Sequence, residues 1–163
     1  MPTTITGTDG VSQVQTGAVE SGDLPAGSVI QVVQNISSTG VQISSSNYQD
    51  SGLSLTITPF FSTSKILVIV NQCGNTVGTP DKVDTAIIRN SSIVYEQRQQ
   101  SPRPGEVGSN DHRAITFDMC FLDSPNTTSA LTYKTQGRFS GSGRIDFQKE
   151  NYNGSIILME IAG

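Results

Sequence analysis

Short runs of Val, Ile, Leu and Thr recur along the chain, separated by Ser, Gly, Asn and Pro. In the run 53–58 every second residue is Leu or Ile and the others are Ser or Thr, which is the period-2 pattern of a strand with one buried face. The run 65–71 is apolar on both faces and predicts a central strand buried on both sides. No stretch has the three-and-four spacing of an amphipathic helix over ten residues. The pattern therefore predicts an all-β chain.

Turn residues divide the apolar runs into eight or nine predicted strands. These strands are predicted at 28–34, 53–58, 65–72, 83–89, 93–97, 113–122, 130–136, 144–148 and 155–162. Asn90, Ser91 and Ser92 supply the turn of a hairpin between the fourth and fifth of them. The segment 74–81, which contains Pro80, is predicted as a loop. This spacing is typical of an antiparallel two-sheet sandwich of the jelly-roll type.

The last predicted strand, 155–162, is almost wholly apolar. Its hydrophobic residues fall on both faces of the strand, and they are Ile156, Ile157, Leu158, Met159 and Ile161. Such a strand lies either in the middle of a sheet or against another subunit, because an exposed apolar strand invites association.

Residues 1–27 differ from the rest of the chain, since they lack aromatic and basic residues and contain five glycines. Their hydrophobic residues are widely spaced and are Ile5, Val11, Val14, Val19 and Leu24. So few apolar side chains do not support independent folding. We therefore expect an extended anchoring arm that orders on a partner through these five residues, ahead of a jelly-roll domain at 28–163. The alternative is a frayed terminus.

Composition and charge exclude several classes of function. Charged residues make up 15% of the 163 residues, the net charge is −4, and no Lys or Arg precedes Lys65. A nucleic-acid partner is therefore not expected, because such proteins present a basic patch. The N-terminus lacks the pattern of a signal peptide, and no apolar stretch approaches 18 residues, so no membrane insertion is expected either.

The sequence contains no motif that carries catalysis or metal binding. His112 is the only histidine and has no nucleophile elbow or triad-like context around it. One histidine and the separated Cys73 and Cys120 do not make a zinc site. We therefore expect no enzyme, cofactor or metal. The two cysteines are predicted to be buried free thiols, with a disulfide left open if their strands are neighbours.

The polar stretch 99–112 is long for a hairpin connection, and loops of this length in compact domains are often functional. Tyr95, Arg98, Arg103 and His112 lie in or beside it. Exposed Tyr and Arg favour interfaces, so these four residues are candidates for contact with an external ligand. The alternative is a solvated loop edge.

Three phrases carry a resemblance to a known family. They are Gly-Leu-Ser-Leu-Thr-Ile-Thr-Pro at 52–59 with Ser-Thr-Ser-Lys-Ile-Leu-Val at 62–68, Leu-Asp-Ser-Pro-Asn-Thr-Thr-Ser-Ala-Leu-Thr-Tyr at 122–133, and Ile-Leu-Met-Glu-Ile-Ala-Gly at 157–163. They resemble small head-fibre and tail-fibre virion proteins of tailed phages, many from aquatic hosts. The domain of these proteins is similar to trimeric jelly rolls of the C1q and tumour-necrosis-factor type. The likeness covers roughly residues 26–163.

The resemblance implies a non-enzymatic homotrimer that assembles onto a phage virion in the bacterial host cytoplasm. Within such a trimer we expect subunit contacts from Ile156, Leu158, Met159 and Ile161. The short segment before the domain favours a capsid decoration or head-fibre protein, whose residues 1–27 bind the major capsid protein or another virion protein. The alternative is a tail-fibre tip that binds a glycan or protein on the host surface.

Overall fold

The computed structural model describes residues 23–100, 112–149 and 152–163, and in these ranges the chain forms eight strands. The strands are β1 (Val29–Ser37), β2 (Val41–Ile43), β3 (Gln49–Ile57), β4 (Lys65–Arg89), β5 (Ser92–Gln100), β6 (His112–Asp123), β7 (Leu131–Phe147) and β8 (Gly154–Ile161). Every pairing between them is antiparallel. The all-β prediction is confirmed.

The strands form two layered sheets, and the long strand β4 runs through both of them. The front sheet has the order β1, β8, residues 65–77 of β4, and β6. The back sheet contains β5, residues 82–89 of β4, β7 and β3, with β2 paired to the end of β7. The inner faces of the two sheets pack on each other, which gives the predicted jelly-roll sandwich.

The prediction of a loop at 74–81 is wrong, because β4 runs without a break through this segment. Residues 74–77 pair with β6 on one side and with β7 on the other, so their hydrogen-bonding groups are used within the sheet. Gly78 and its register partner Gly143 both have positive φ, at 96° and 127°. A Cβ at Gly143 would collide with the carbonyl oxygen of Val77, so these glycines allow the close approach where both strands change layer.

Buried apolar side chains from both sheets form the core in two adjoining clusters. The larger cluster contains Leu53, Ile57, Ile66, Val68, Val70, Ile87, Met119, Leu131, Tyr133, Ile156 and Leu158. The smaller cluster contains Ile43, Val83, Phe117, Phe139, Ile145 and Phe147. The predicted alternation in 53–58 is confirmed, since Leu53 and Ile57 are buried and Ser54 and Thr56 are exposed.

Two buried carboxylates, those of Asp123 and Glu160, form hydrogen bonds that join separate parts of the sandwich. Asp123 Oδ2 accepts hydrogen bonds from Arg89 and from the Tyr133 hydroxyl, each at 2.7 Å. Burial and the hydrogen bond to Asp123 raise the pKa of Tyr133, so the phenol stays a donor. Glu160, which is fully buried, accepts a hydrogen bond from the backbone amide of Phe60 at 2.8 Å and so holds the connection between β3 and β4 against β8.

Candidate functional site

The outward face of the front sheet is apolar across four neighbouring strands. Opposite residues of antiparallel strands point to the same side of the sheet. One row contains Val32, Met159, Leu67 and Leu122. The next row contains Gln34, Ile157, Ile69 and Cys120. Gln34 is the one clearly polar residue among these eight.

We call this surface the apolar face. It consists of Val29, Val32, Ile36, Leu67, Ile69, Cys120, Leu122, Ile157, Met159 and Ile161. Val32 is 54% exposed, Ile36 56% and Leu122 47%. Charged residues lie only at its margins, with Lys65 at one end and Asp118 at the other. A contiguous apolar patch of this kind marks an interaction surface.

Only one side of β8 belongs to the apolar face. Ile156 and Leu158 point inward and are 0% exposed, because β8 lies between β1 and β4 and its inner side is covered by the back sheet. The prediction that these two residues contact another subunit is therefore wrong. Met159 and Ile161 point outward, so their contact with another subunit stays a prediction. Sequence reasoning left out Ile157, which lies on the same outward side.

The run 65–71 shows the same division between its two sides. Ile66, Val68 and Val70 are buried in the core, as predicted. Leu67 and Ile69 are half-buried and lie on the apolar face. Burial on both sides, which the sequence pattern predicts, is thus not reached within a single chain.

The two cysteines are free thiols on neighbouring strands. Cys120 lies opposite Ile69, and Cys73 lies opposite Thr116. This register offset of four residues separates the cysteines by about 13 Å along the sheet, which is too far for a disulfide. Cys73 is half-buried, whereas Cys120 is exposed and lies on the apolar face, contrary to the predicted burial of both thiols.

The outward face of the back sheet carries a group of four polar side chains, which we call the polar cluster: Tyr48, Asp84, Glu96 and Arg138. Arg138 Nε donates to Asp84 Oδ2 at 2.8 Å, and Arg138 Nη2 lies 3.0 Å from Glu96 Oε1. The Tyr48 hydroxyl donates to the same Glu96 oxygen at 2.6 Å. The guanidinium of Arg138 lies over the Tyr48 ring, 4.6 Å from its centroid, in a cation–π contact.

These contacts shift the pKa values of Tyr48, Glu96 and Arg138. The hydrogen bond from Tyr48 lowers the pKa of Glu96, while burial and the same hydrogen bond raise the pKa of Tyr48. The hydrogen bond to Asp84 raises the pKa of Arg138. Near neutral pH the tyrosine is therefore a neutral donor, and Glu96 and Arg138 carry opposite charges.

The four residues predicted to contact a ligand do not form one surface. Tyr95 is half-buried on the inner side of β5 and packs against Phe121, with ring centroids 5.6 Å apart. Arg98 is exposed beside Glu96. Arg103 lies outside the described residues, and of His112 the structure describes only its place at the start of β6, opposite Val77. Their predicted role is untested.

Of the predicted anchoring arm, the structure describes only the last residues. Ile5, Val11, Val14 and Val19 lie outside the described residues, and Leu24 is half-buried. The following segment is held beside the end of β8. The amide of Gly27 donates to the carbonyl oxygen of Ala162 at 2.8 Å, and the amide of Ala162 donates to the carbonyl oxygen of Ser28 at 2.8 Å.

Two further observations concern residues 23–100, 112–149 and 152–163. No three His, Cys, Asp or Glu side chains in these ranges are grouped so that they could hold a metal ion. The same ranges contain no helix with the length and apolar character needed to cross a membrane.

No protein-family model matches the sequence, and comparison with curated proteins finds no match. Among solved structures, Eiger TNF from S. frugiperda is similar with a TM-score of 0.46 and 11% identity, over 80% of this chain and 93% of that one. The insecticidal delta-endotoxin Cry8Ea1 from Bacillus thuringiensis is similar with a TM-score of 0.41 and 18% identity, over 75% of this chain. The chain spans 19% of the endotoxin's length. The infectious bursal disease virus Gt strain structure has a TM-score of 0.40 and 11% identity, over 82% of this chain and 38% of that one.

Proposed function

We propose that this chain is a non-enzymatic virion structural protein that forms a homotrimer through the apolar face. The observation that carries the proposal is the row Val32, Met159, Leu67 and Leu122, which extends across the four strands of the front sheet with no charged residue in it. Interfaces of permanent homo-oligomers have this composition, since they resemble a domain core cut in half.

The charged residues at the margins of the apolar face favour binding of further copies of the same chain to this face. Lys65 and Asp118 lie at opposite ends of the face. A ring of identical subunits joins two different patches of each chain, and opposite charges at the two ends favour such a closed arrangement. The resemblance of 52–68, 122–133 and 157–163 to phage virion proteins with trimeric jelly rolls supports three copies and a place on a phage particle.

In this proposal residues 1–27 attach the trimer to the major capsid protein or another virion protein after assembly in the bacterial host cytoplasm. An extended segment with widely spaced Val and Ile side chains suits strand addition, in which main-chain hydrogen bonds supply affinity. The contact between Gly27 and Ala162 supports this role, since it fixes where the arm leaves the domain. A capsid decoration or head-fibre protein is the function that these features favour.

Cys120 provides a direct test of the trimer in the unmodified protein. Sedimentation equilibrium should give three times the 17.3 kDa chain mass. A thiol reagent should modify Cys120 slowly in the native protein, because neighbouring subunits cover the apolar face, and rapidly in denaturant. Cys73, which is half-buried within the chain itself, is the internal reference. A monomer whose Cys120 reacts rapidly without denaturant would contradict the proposal.

Deletion of residues 1–24 tests the attachment. We expect the shortened protein to keep its oligomeric state and far-UV circular dichroism, because all eight described strands and the contact of Gly27 with Ala162 are retained. Added to particles assembled without this protein, the full chain should bind and the shortened chain should not, as measured by co-sedimentation. Full occupancy by the shortened chain would show that the arm is not the anchor.

A further inference from the structure

A pocket of about 220 Å³ lies on the outward face of the back sheet, beside the polar cluster. It is lined by Ser46, Lys82, Asp84, Arg138, Phe139 and Ser140. Strand β4 contributes Lys82 and Asp84, and β7 contributes their register partners Ser140 and Arg138. The segment between β2 and β3 contributes Ser46. The pocket is thus built on two adjacent strands of a rigid sheet.

Two polar atoms of the lining residues have no hydrogen-bond partner. Asp84 is 0% exposed, and while its Oδ2 is bound by Arg138, its Oδ1 has no donor. The hydroxyl of Ser140 is also buried without a partner. A buried carboxylate oxygen without a donor is unfavourable, and such atoms in native proteins call for an explanation. Both residues line the same pocket, and a ligand with hydroxyl groups would supply the missing hydrogen-bond partners.

The charges around the pocket select a neutral ligand. Two positive side chains, Lys82 and Arg138, are balanced by the negative Asp84 and Glu96. Arg138 is already paired with both acids and stacked on Tyr48. Its guanidinium therefore has no free pair of N–H groups for a bidentate contact with a phosphate or carboxylate. A cationic ligand would meet the two positive side chains, and the charges of Asp84 and Glu96 are already balanced by their ion pairs with Arg138.

We propose that this pocket binds one neutral pyranose ring of a saccharide. One sugar hydroxyl donates to Asp84 Oδ1, a neighbouring hydroxyl exchanges a hydrogen bond with Ser140 Oγ, and the Lys82 ammonium donates to a sugar oxygen. The volume is below the roughly 300–1,000 Å³ of sites for larger organic ligands, which limits the occupant to a single ring. The pocket and the apolar face lie on opposite sheets, so this inference does not rest on the proposed trimer.

The full chain should be titrated with the methyl glycosides of glucose, galactose, mannose and N-acetylglucosamine, with binding followed by ligand-detected NMR. We expect at least one of them to bind with a Kd of about 1 mM, the range that a single sugar ring with a few hydrogen bonds reaches. Inorganic phosphate and methylammonium are the charged probes, and neither should bind. Binding of a charged probe and of none of the glycosides would overturn the proposal.

Variants then locate the binding. Ser140→Ala removes one hydrogen bond and should weaken glycoside binding about 5-fold to 10-fold. Ser142→Ala, two residues further along β7 and exposed outside the pocket, is the matched control and should bind as the unmodified chain does. Asp84→Asn replaces the carboxylate that accepts the sugar hydroxyl and should abolish glycoside binding. If that variant does not fold, the comparison of Ser140→Ala with Ser142→Ala still tests the site. Equal affinities of the Ser140 and Ser142 variants, or no binding of any glycoside at about 10 mM, would refute the site.

Discussion

Replacing Met159 with Glu should convert the proposed trimer into folded monomers. Met159 lies in the middle of the apolar face, between Val32 and Leu67. In a trimer the new carboxylates would be buried without partners, and the effective penalty for each buried ion is several kcal/mol. In a monomer the same side chain points to water and costs little. Sedimentation should therefore show the chain mass alone, with circular dichroism unchanged.

Ser54→Glu is the matched control for this substitution. Ser54 is exposed on the outward side of β3, opposite Lys134, so the added charge has a favourable neighbour. This variant should remain a trimer. A trimeric Met159→Glu variant would show that the apolar face is not the contact, whereas loss of circular dichroism in that variant would show that Met159 is needed for the fold itself.

Replacing Leu158 with Ala should destabilise the domain by about 3 kcal/mol, within the range observed for cavities left by buried leucines. Leu158 is 0% exposed and belongs to the larger core cluster. For a chain of this size the loss lowers Tm by roughly 6–12 °C. Thermal unfolding is best measured in the Met159→Glu background, so that dissociation does not contribute to Tm.

Ile157→Ala in the same background is the comparison, because Ile157 lies next to Leu158 in sequence but on the outward side of β8. We expect it to cost less than about 1 kcal/mol, since a half-exposed side chain leaves no closed cavity. Equal losses for the two variants would mean that the inner and outer sides of β8 are equally covered, against the fold described above.

Local patterns were enough to predict much of the fold. In the run 53–58 only one face is apolar, so periodicity alone predicts which residues of this strand point to the core. The hairpin between β4 and β5 follows from Asn90, whose φ of 55° places it in the left-handed region that asparagine tolerates in turns. The central place of β8 is one of the two alternatives that its almost wholly apolar sequence predicts.

Other parts of the fold depend on contacts that sequence does not display. Gly78, Pro80 and Gly143 normally interrupt strands, yet here β4 and β7 pair with each other through this segment and stay continuous. In β8 both sides are apolar, so the sequence cannot tell which side meets the core. The pocket beside Asp84 is built from residues near 46, 82–84 and 138–140, and only the register of β4 with β7 brings them together.

The central position of β8 has a consequence for the order of events during synthesis. The ribosome makes β8 after the other seven described strands, but β8 occupies the middle of the front sheet between β1 and β4. Until β8 emerges, β1 has no hydrogen-bonding neighbour in that sheet and the apolar face does not exist. Nascent chains on one messenger RNA therefore cannot join through this face while they grow, and association must follow completion of each domain.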